Sequence, residues 1–117
     1  MGVRIKQQQV AALVQRALGE IFLREGASYT AGTLVTVKEV CMNTNLSLAQ
    51  VYLSFLDASR ATHLLHMLTQ HQKALRGLLG HKIGNKVRRV PELRFYIDHS
   101  LERAQRIHQL LDTLDTT

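Results

Sequence analysis

The chain has one proline, Pro91, and that residue joins two stretches of opposite character. Ahead of it, Lys82, Lys86, Arg88 and Arg89 concentrate positive charge. After it, Leu93, Phe95 and Ile97 alternate with Arg94 and Tyr96. Side chains on a strand point alternately to its two faces, so the apolar set shares one face and Arg94 and Tyr96 take the other. Proline lacks an N–H and holds φ near about −65°, which suits the first position of a strand and biases Val90 toward extended backbone. A basic loop is thereby expected to be fastened to a buried strand.

Toward the N-terminus, Val10, Leu13, Val14, Ala17, Leu18, Ile21 and Phe22 recur at helical spacing, and Arg4, Lys6, Arg16, Glu20 and Arg24 fall off that stripe. The pattern predicts a long first helix over 3–25, with Gly26 as the residue that stops it and a loop over 27–32. Residues 33–41 are rich in Val and Thr, and Ala49, Val51, Leu53 and Phe55 alternate with polar residues. Two strands follow, joined through the Asn-rich turn Met42–Asn45 as an antiparallel hairpin.

Asp57 to Ser59 offers caps for a second helix bearing Ala61, Leu64, Leu65 and Leu68, and a third bears Leu75, Leu78, Leu79 and Ile83. The phase changes between the two runs, which calls for a kink or turn near His71. After the third strand, Ser100 caps a last helix in which Leu101, Ala104, Ile107, Leu111 and Leu114 recur at helical spacing; residues 1–2 and 115–117 are expected to fray. The order α-β-β-α-α-β-α describes one α+β domain over 1–117, a two-layer fold in which helices cover a small three-stranded sheet.

Charge narrows the function. Lys and Arg number 15 against 9 Asp and Glu, a net +6. From Lys73 to Arg94 there are seven basic residues and one acid, Glu92. A small basic domain suits a polyanionic partner, usually nucleic acid. The single Cys41 cannot form an internal disulfide, which fits a reducing cytoplasm. No apolar run approaches the roughly 18 to 20 residues that span a bilayer, so no membrane partner is expected.

Catalytic signatures are missing from the pattern. There is no Gly-rich phosphate loop, nucleophile elbow or paired-carboxylate cleft. Asp98, His99 and Ser100 are triad residue types, but neighbours in sequence cannot converge as a triad must. His63, His66 and His71 have no Cys or carboxylate to complete a metal set. Gly77-Leu-Leu-Gly80 spells the GxxG of RNA-clamping loops, yet Leu78 and Leu79 belong to an apolar stripe. That reads as helix packing with a C-terminal Gly stop. No enzyme activity, metal or cofactor is expected.

With these elements in place the chain resembles the ribosome-binding factor A family, bacterial small-subunit assembly factors of the KH-like class. The likeness rests on Arg4-Ile5; on Val37-x-x-Val40 followed by Asn43-x-Asn45-Leu46-x-x-Ala49-x-Val51-Tyr52-Leu53-Ser54; on Leu75-Arg76-x-x-Leu79-Gly80; and above all on Arg88-Arg89-Val90-Pro91-Glu92-Leu93-Arg94-Phe95-Tyr96-Ile97-Asp98-x-Ser100. Two departures stand out. Where the family carries an Ala-x-Gly kink this chain has His71-Gln72-Lys73, and Gly84-Asn85 reads as an insertion ahead of the basic run.

The resemblance implies a KH-like (type II) fold. It also implies a non-enzymatic, transient role in which the chain binds the immature small ribosomal subunit and its rRNA to assist late maturation and processing; a cytoplasmic location and a monomer are expected alongside it. Arg76, Lys82, Lys86, Arg88, Arg89 and Arg94, joined by Arg4 and Lys6 of the first helix, are the candidate RNA contacts, gripping phosphates and shape more than bases. With few aromatic residues outside the expected core, base stacking on the sheet has little material. The alternative is a basic protein-interaction adaptor that needs no RNA.

Overall fold

The computed structural model describes residues 2–98, apart from the side chains of residues 2–5 and of Ala27. Its elements are α1 (Gly2–Tyr29), β1 (Val35–Met42), β2 (Leu48–Phe55), a 3-10 turn (Ala58–Arg60), α2 (Ala61–Gln70), α3 (Gln72–Ile83) and β3 (Glu92–Ile97). The strands lie in the order β1-β2-β3, with β1 antiparallel to β2 and β2 parallel to β3. The expected α+β order holds through β3, and the last helix expected from Ser100 lies outside the described residues.

The helical stripe of α1 faces the core: Val14, Ala17, Leu18, Ile21 and Phe22 are buried, and Val10 and Leu13 pack at its edge. The helix runs past Gly26, the residue expected to stop it. Gly26 keeps a negative φ and packs closely, since a Cβ there would lie 3.3 Å from Phe22 Cβ. The left-handed residues that turn the chain are Ala31 (φ 51°) and Gly32 (φ 85°). The buried Thr30 hydroxyl lies 2.9 Å from the Gly26 carbonyl and 2.6 Å from that of Thr33, so it can donate to a carbonyl left over at the helix end.

In the hairpin, Val35 pairs with Phe55 and Val37 with Leu53; the register then shifts at Lys38, so that Val40 pairs with Val51 and Met42 with Ala49. This bulge lets Val35 ahead of it and Val40 and Met42 beyond it all face the core, although the numbering parity changes. The connecting turn is organised by Asn43, whose Oδ1 accepts the amides of Ser47 (2.9 Å) and Leu48 (3.0 Å). The residue in left-handed backbone is not an asparagine but Leu46 (φ 61°).

Asp57 does not cap a helix as expected. Its carboxylate takes the Ser59 hydroxyl at 2.6 Å, at the start of the 3-10 turn Ala58–Arg60. The break near His71 is present: α2 ends at Gln70, α3 begins at Gln72, and the His71 ring lies on Tyr29 with centroids 5.1 Å apart. Leu64 and Leu68 on one helix and Leu75 and Leu79 on the other are fully buried, each worth about 1.5–3 kcal/mol of transfer from water.

Gly80 is not the stop of α3 either. The helix continues to Ile83, and Gly84 caps it by donating its amide to Gly80 O at 2.8 Å. A Cβ on Gly84 would collide with that same oxygen, so the tight exit requires glycine. Beyond the loop, Leu93 and Phe95 are buried on the helical side, with the Phe95 ring edge-on to Phe22. Among the described residues no helix is long and apolar enough to cross a membrane.

Candidate nucleic-acid interface

Parallel pairing of β2 with β3 decides what meets at one end of the sheet. Leu48 is in register with Glu92, and the Glu92 amide donates to Ser47 O at 2.9 Å. The turn ahead of β2 and the basic loop ahead of β3 therefore lie side by side. The first helix reaches the same end, where Gln7 Nε2 donates to the Met42 carbonyl at 3.2 Å. Between these three segments is a groove of about 350 Å³. Lys6 and Val10 line it from α1, Asn45 and Leu46 from the turn, and Lys86, Val87, Arg88 and Arg89 from the loop.

The loop is held at both ends. The Lys86 amide donates to Ile83 O at 2.8 Å, Pro91 is fully buried, and Val87 and Val90 pack against the core. Arg76 Nη2 donates to the Val90 carbonyl at 2.8 Å, tying the last loop residues to α3. Fastened so, the loop leaves the side chains of Lys86, Arg88 and Arg89 exposed. None of the described lining residues is acidic, so the rim presents Lys6, Lys86, Arg88 and Arg89 with no carboxylate on that described lining.

The other sequence candidates go elsewhere. Lys82 Nζ donates to Glu20 Oε2 of α1 at 2.8 Å, and that hydrogen bond, then the Lys82 charge, hold the Glu20 carboxyl below its ordinary pKa, with Arg24 and Arg16 adding to the effect. Arg76 is half-buried and bound to backbone. Arg94 is exposed on the sheet face turned away from Leu93 and Phe95, the face on which Tyr52 and Tyr96 stack at 5.4 Å. The Arg4 side chain lies outside the described residues.

Sequence reasoning passed over Val10, Asn45, Leu46 and Val87 as groove residues. Val10 counted toward the helical stripe and Asn45 toward turn chemistry. The available signal was Val87, an apolar residue set between Lys86 and Arg88. Chemically the site is a concave aliphatic bed under a cationic rim. Arginine pairs on such a rim can engage phosphate oxygens two at a time.

Comparison with known proteins agrees with this architecture. The sequence model described as ribosome-binding factor A matches residues 6–111. The chain is 43% identical to ribosome-binding factor A of Chlorobaculum parvum over 112 residues, covering 94% of this chain and 91% of the relative. It is 32% identical to that of Cytophaga hutchinsonii, covering 94% and 83%. Among solved structures, the crystal structure of the Thermus thermophilus factor superposes with a TM-score of 0.65 at 23% identity, over 78% of this chain and 94% of that one. A homology model of the same organism's factor, fitted into the cryo-EM map of a 30S complex with that factor, gives 0.59 at 24%, over 76% and 91%. The structural likeness carries the fold, which is KH-like. Sequence identity above 30% across nearly the whole chain, together with the family match from Lys6 onward, makes the chain a member of the ribosome-binding factor A family.

Proposed function

We propose that the chain is a non-catalytic, cytoplasmic assembly factor that binds the immature small ribosomal subunit through its rRNA and assists late maturation. Relatives at up to 43% identity carry the name ribosome-binding factor A, and a related factor has been fitted into a 30S complex. The observation that carries the reading onto particular residues is convergence. Lys6, distant in sequence, meets Lys86, Arg88 and Arg89 on one concave rim whose described lining has no acid. Such a rim suits phosphates held in a fixed spatial pattern, as in folded RNA, where backbone contacts position the protein.

The test is cosedimentation of the full chain with purified small subunits, repeated across a salt series. Four phosphate contacts give a log K against log salt slope of roughly −2.8 to −3.6, at about 0.7 to 0.9 per phosphate. A flat response contradicts the mechanism. Association that survives complete nuclease digestion of the RNA returns the site to a protein-interaction adaptor.

A further inference from the structure

A rim of cations explains affinity for RNA, but a rim does not require the concavity inside it. Val10, Leu46 and Val87 are half-buried aliphatic side chains that pack against the core and also line the groove. An uninterrupted RNA duplex presents a convex row of phosphates and can rest on the rim without entering. A group that enters must be flat or slender, tolerant of an apolar floor and attached to phosphates.

Leu46 sharpens the point. A leucine at φ 61° holds left-handed backbone at a cost of about 1–2 kcal/mol, where asparagine or glycine does so more easily. The Asn43 side chain stabilises that turn through Ser47 and Leu48. Strain of this kind on a bulky residue collects at binding sites, and here it delivers aliphatic surface to the groove.

Asn45 adds a directional group. Its Oδ1 accepts the Ser47 hydroxyl at 2.6 Å and the Ser47 amide at 3.2 Å, which orients the side-chain amide. No hydrogen bond engages its Nδ2 among the described residues, and Asn45 lines the groove, so its amide is available to donate to a ring nitrogen or carbonyl on a base edge.

We infer that the groove receives one unpaired RNA nucleotide, its base lying on Val10, Leu46 and Val87 with its edge toward Asn45 and its flanking phosphates on Lys86, Arg88, Arg89 and Lys6. This rests on the rRNA reading above and goes beyond it by naming the RNA feature: a bulged or single-stranded nucleotide, not a continuous duplex. Unstacked bases are what proteins read on RNA, and apolar side chains serve as the platform where aromatic ones are lacking.

The experiment uses the full chain and three labelled RNA hairpins of the same stem: fully paired, carrying one unpaired adenosine, and carrying an abasic residue at that position. Fluorescence anisotropy at fixed salt is expected to show the adenosine bulge bound about tenfold tighter than either other hairpin. Leu46→Asn keeps a residue that tolerates left-handed backbone while removing the aliphatic bed. It should abolish the preference, lowering the affinity for the adenosine bulge to that for the abasic hairpin, while circular dichroism shows the variant folded.

Equal affinity for the adenosine and abasic bulges overturns the inference. If Arg88→Glu with Arg89→Glu still weakens both, the phosphate reading stands without it. Indifference of all three hairpins to that charge reversal overturns both. A bulge preference that persists in Leu46→Asn puts the base elsewhere and also overturns the inference. Tighter binding of an acidic, leucine-bearing peptide than of the bulged RNA gives the groove to a protein partner instead.

Discussion

Lys82 and Lys86 stand four residues apart in one cationic run, and their surroundings put the two charges to different uses. Lys82, on the last turn of α3, reaches Glu20 of α1 at 2.8 Å, so its charge serves an ion pair between two helices. Lys86 lies beyond the Gly84 cap, in a loop whose described neighbours across the groove are Lys6, Asn45 and Leu46, with no carboxylate among them. The difference teaches that a basic cluster in sequence is not one in space. What a lysine can offer a partner is decided by residues tens of positions away.

The comparison breaks most visibly if the loop is inverted. If Arg88 and Arg89 each sit on a phosphate, Arg88→Glu with Arg89→Glu removes two contacts and adds repulsion. At about 0.1 M salt each lost contact is a factor of roughly 5 to 8, so binding to small subunits should fall at least about 25-fold. Both side chains are exposed, so thermal unfolding should be unchanged. Undiminished cosedimentation would remove the loop from the interface.

The scaffold under the loop gives the next effects. Gly84→Ala forces a Cβ onto the Gly80 carbonyl oxygen, backbone that cannot rotate away, and should cost about 1–3 kcal/mol in chemical denaturation. An unaffected midpoint would mean that the helix exit relaxes freely. Arg76→Ala leaves the Val90 carbonyl without its charged donor and should cost about 1–2 kcal/mol. Because the Arg76 side chain is tied to backbone and does not line the groove, the salt slope of RNA binding should not change. A shallower slope would make it a phosphate contact after all.

Much of this fold could be read from residue patterns, and the parts that could not have identifiable causes. The α1 stripe, the hairpin, the break at His71 and the alternation of β3 each repeat a simple period, so they are visible without tertiary knowledge. Gly26 does not mark the stop of α1, because a glycine can serve packing as readily as termination, and Gly26 lies against Phe22. The bulge at Lys38 could have been anticipated from Val37-Lys-Glu-Val40, where two polar residues in succession break the alternation and shift its parity.

The groove was harder to foresee. The cationic run ahead of Pro91 is plain in the sequence, but its meeting with Lys6 and Asn45 depends on β2 and β3 being parallel, which brings their starting ends together. Likewise the ion pair that occupies Lys82 joins residues 62 positions apart. Arg94 was legible as opposite in facing to Leu93 and Phe95, and that alternation already set it apart from a site on the helical side.

The finest test of the contrast between the two lysines is the pair Lys86→Gln and Lys82→Gln. Both remove one positive charge, so any effect of net charge on long-range attraction is common to the two and cancels. What remains is local. If Lys86 sits on a phosphate, its loss releases one fewer counterion and the magnitude of the salt slope should fall by about 0.7 to 0.9, with binding weaker by roughly 5- to 8-fold at about 0.1 M salt. Lys82→Gln should leave the slope as it is, because that ammonium is already directed at Glu20. It also removes the main cause of the lowered Glu20 pKa, so that carboxyl should titrate nearer its ordinary range when followed by NMR. Equal slope changes in the two variants would mean that RNA draws Lys82 away from Glu20, and the two regions would then act as one surface.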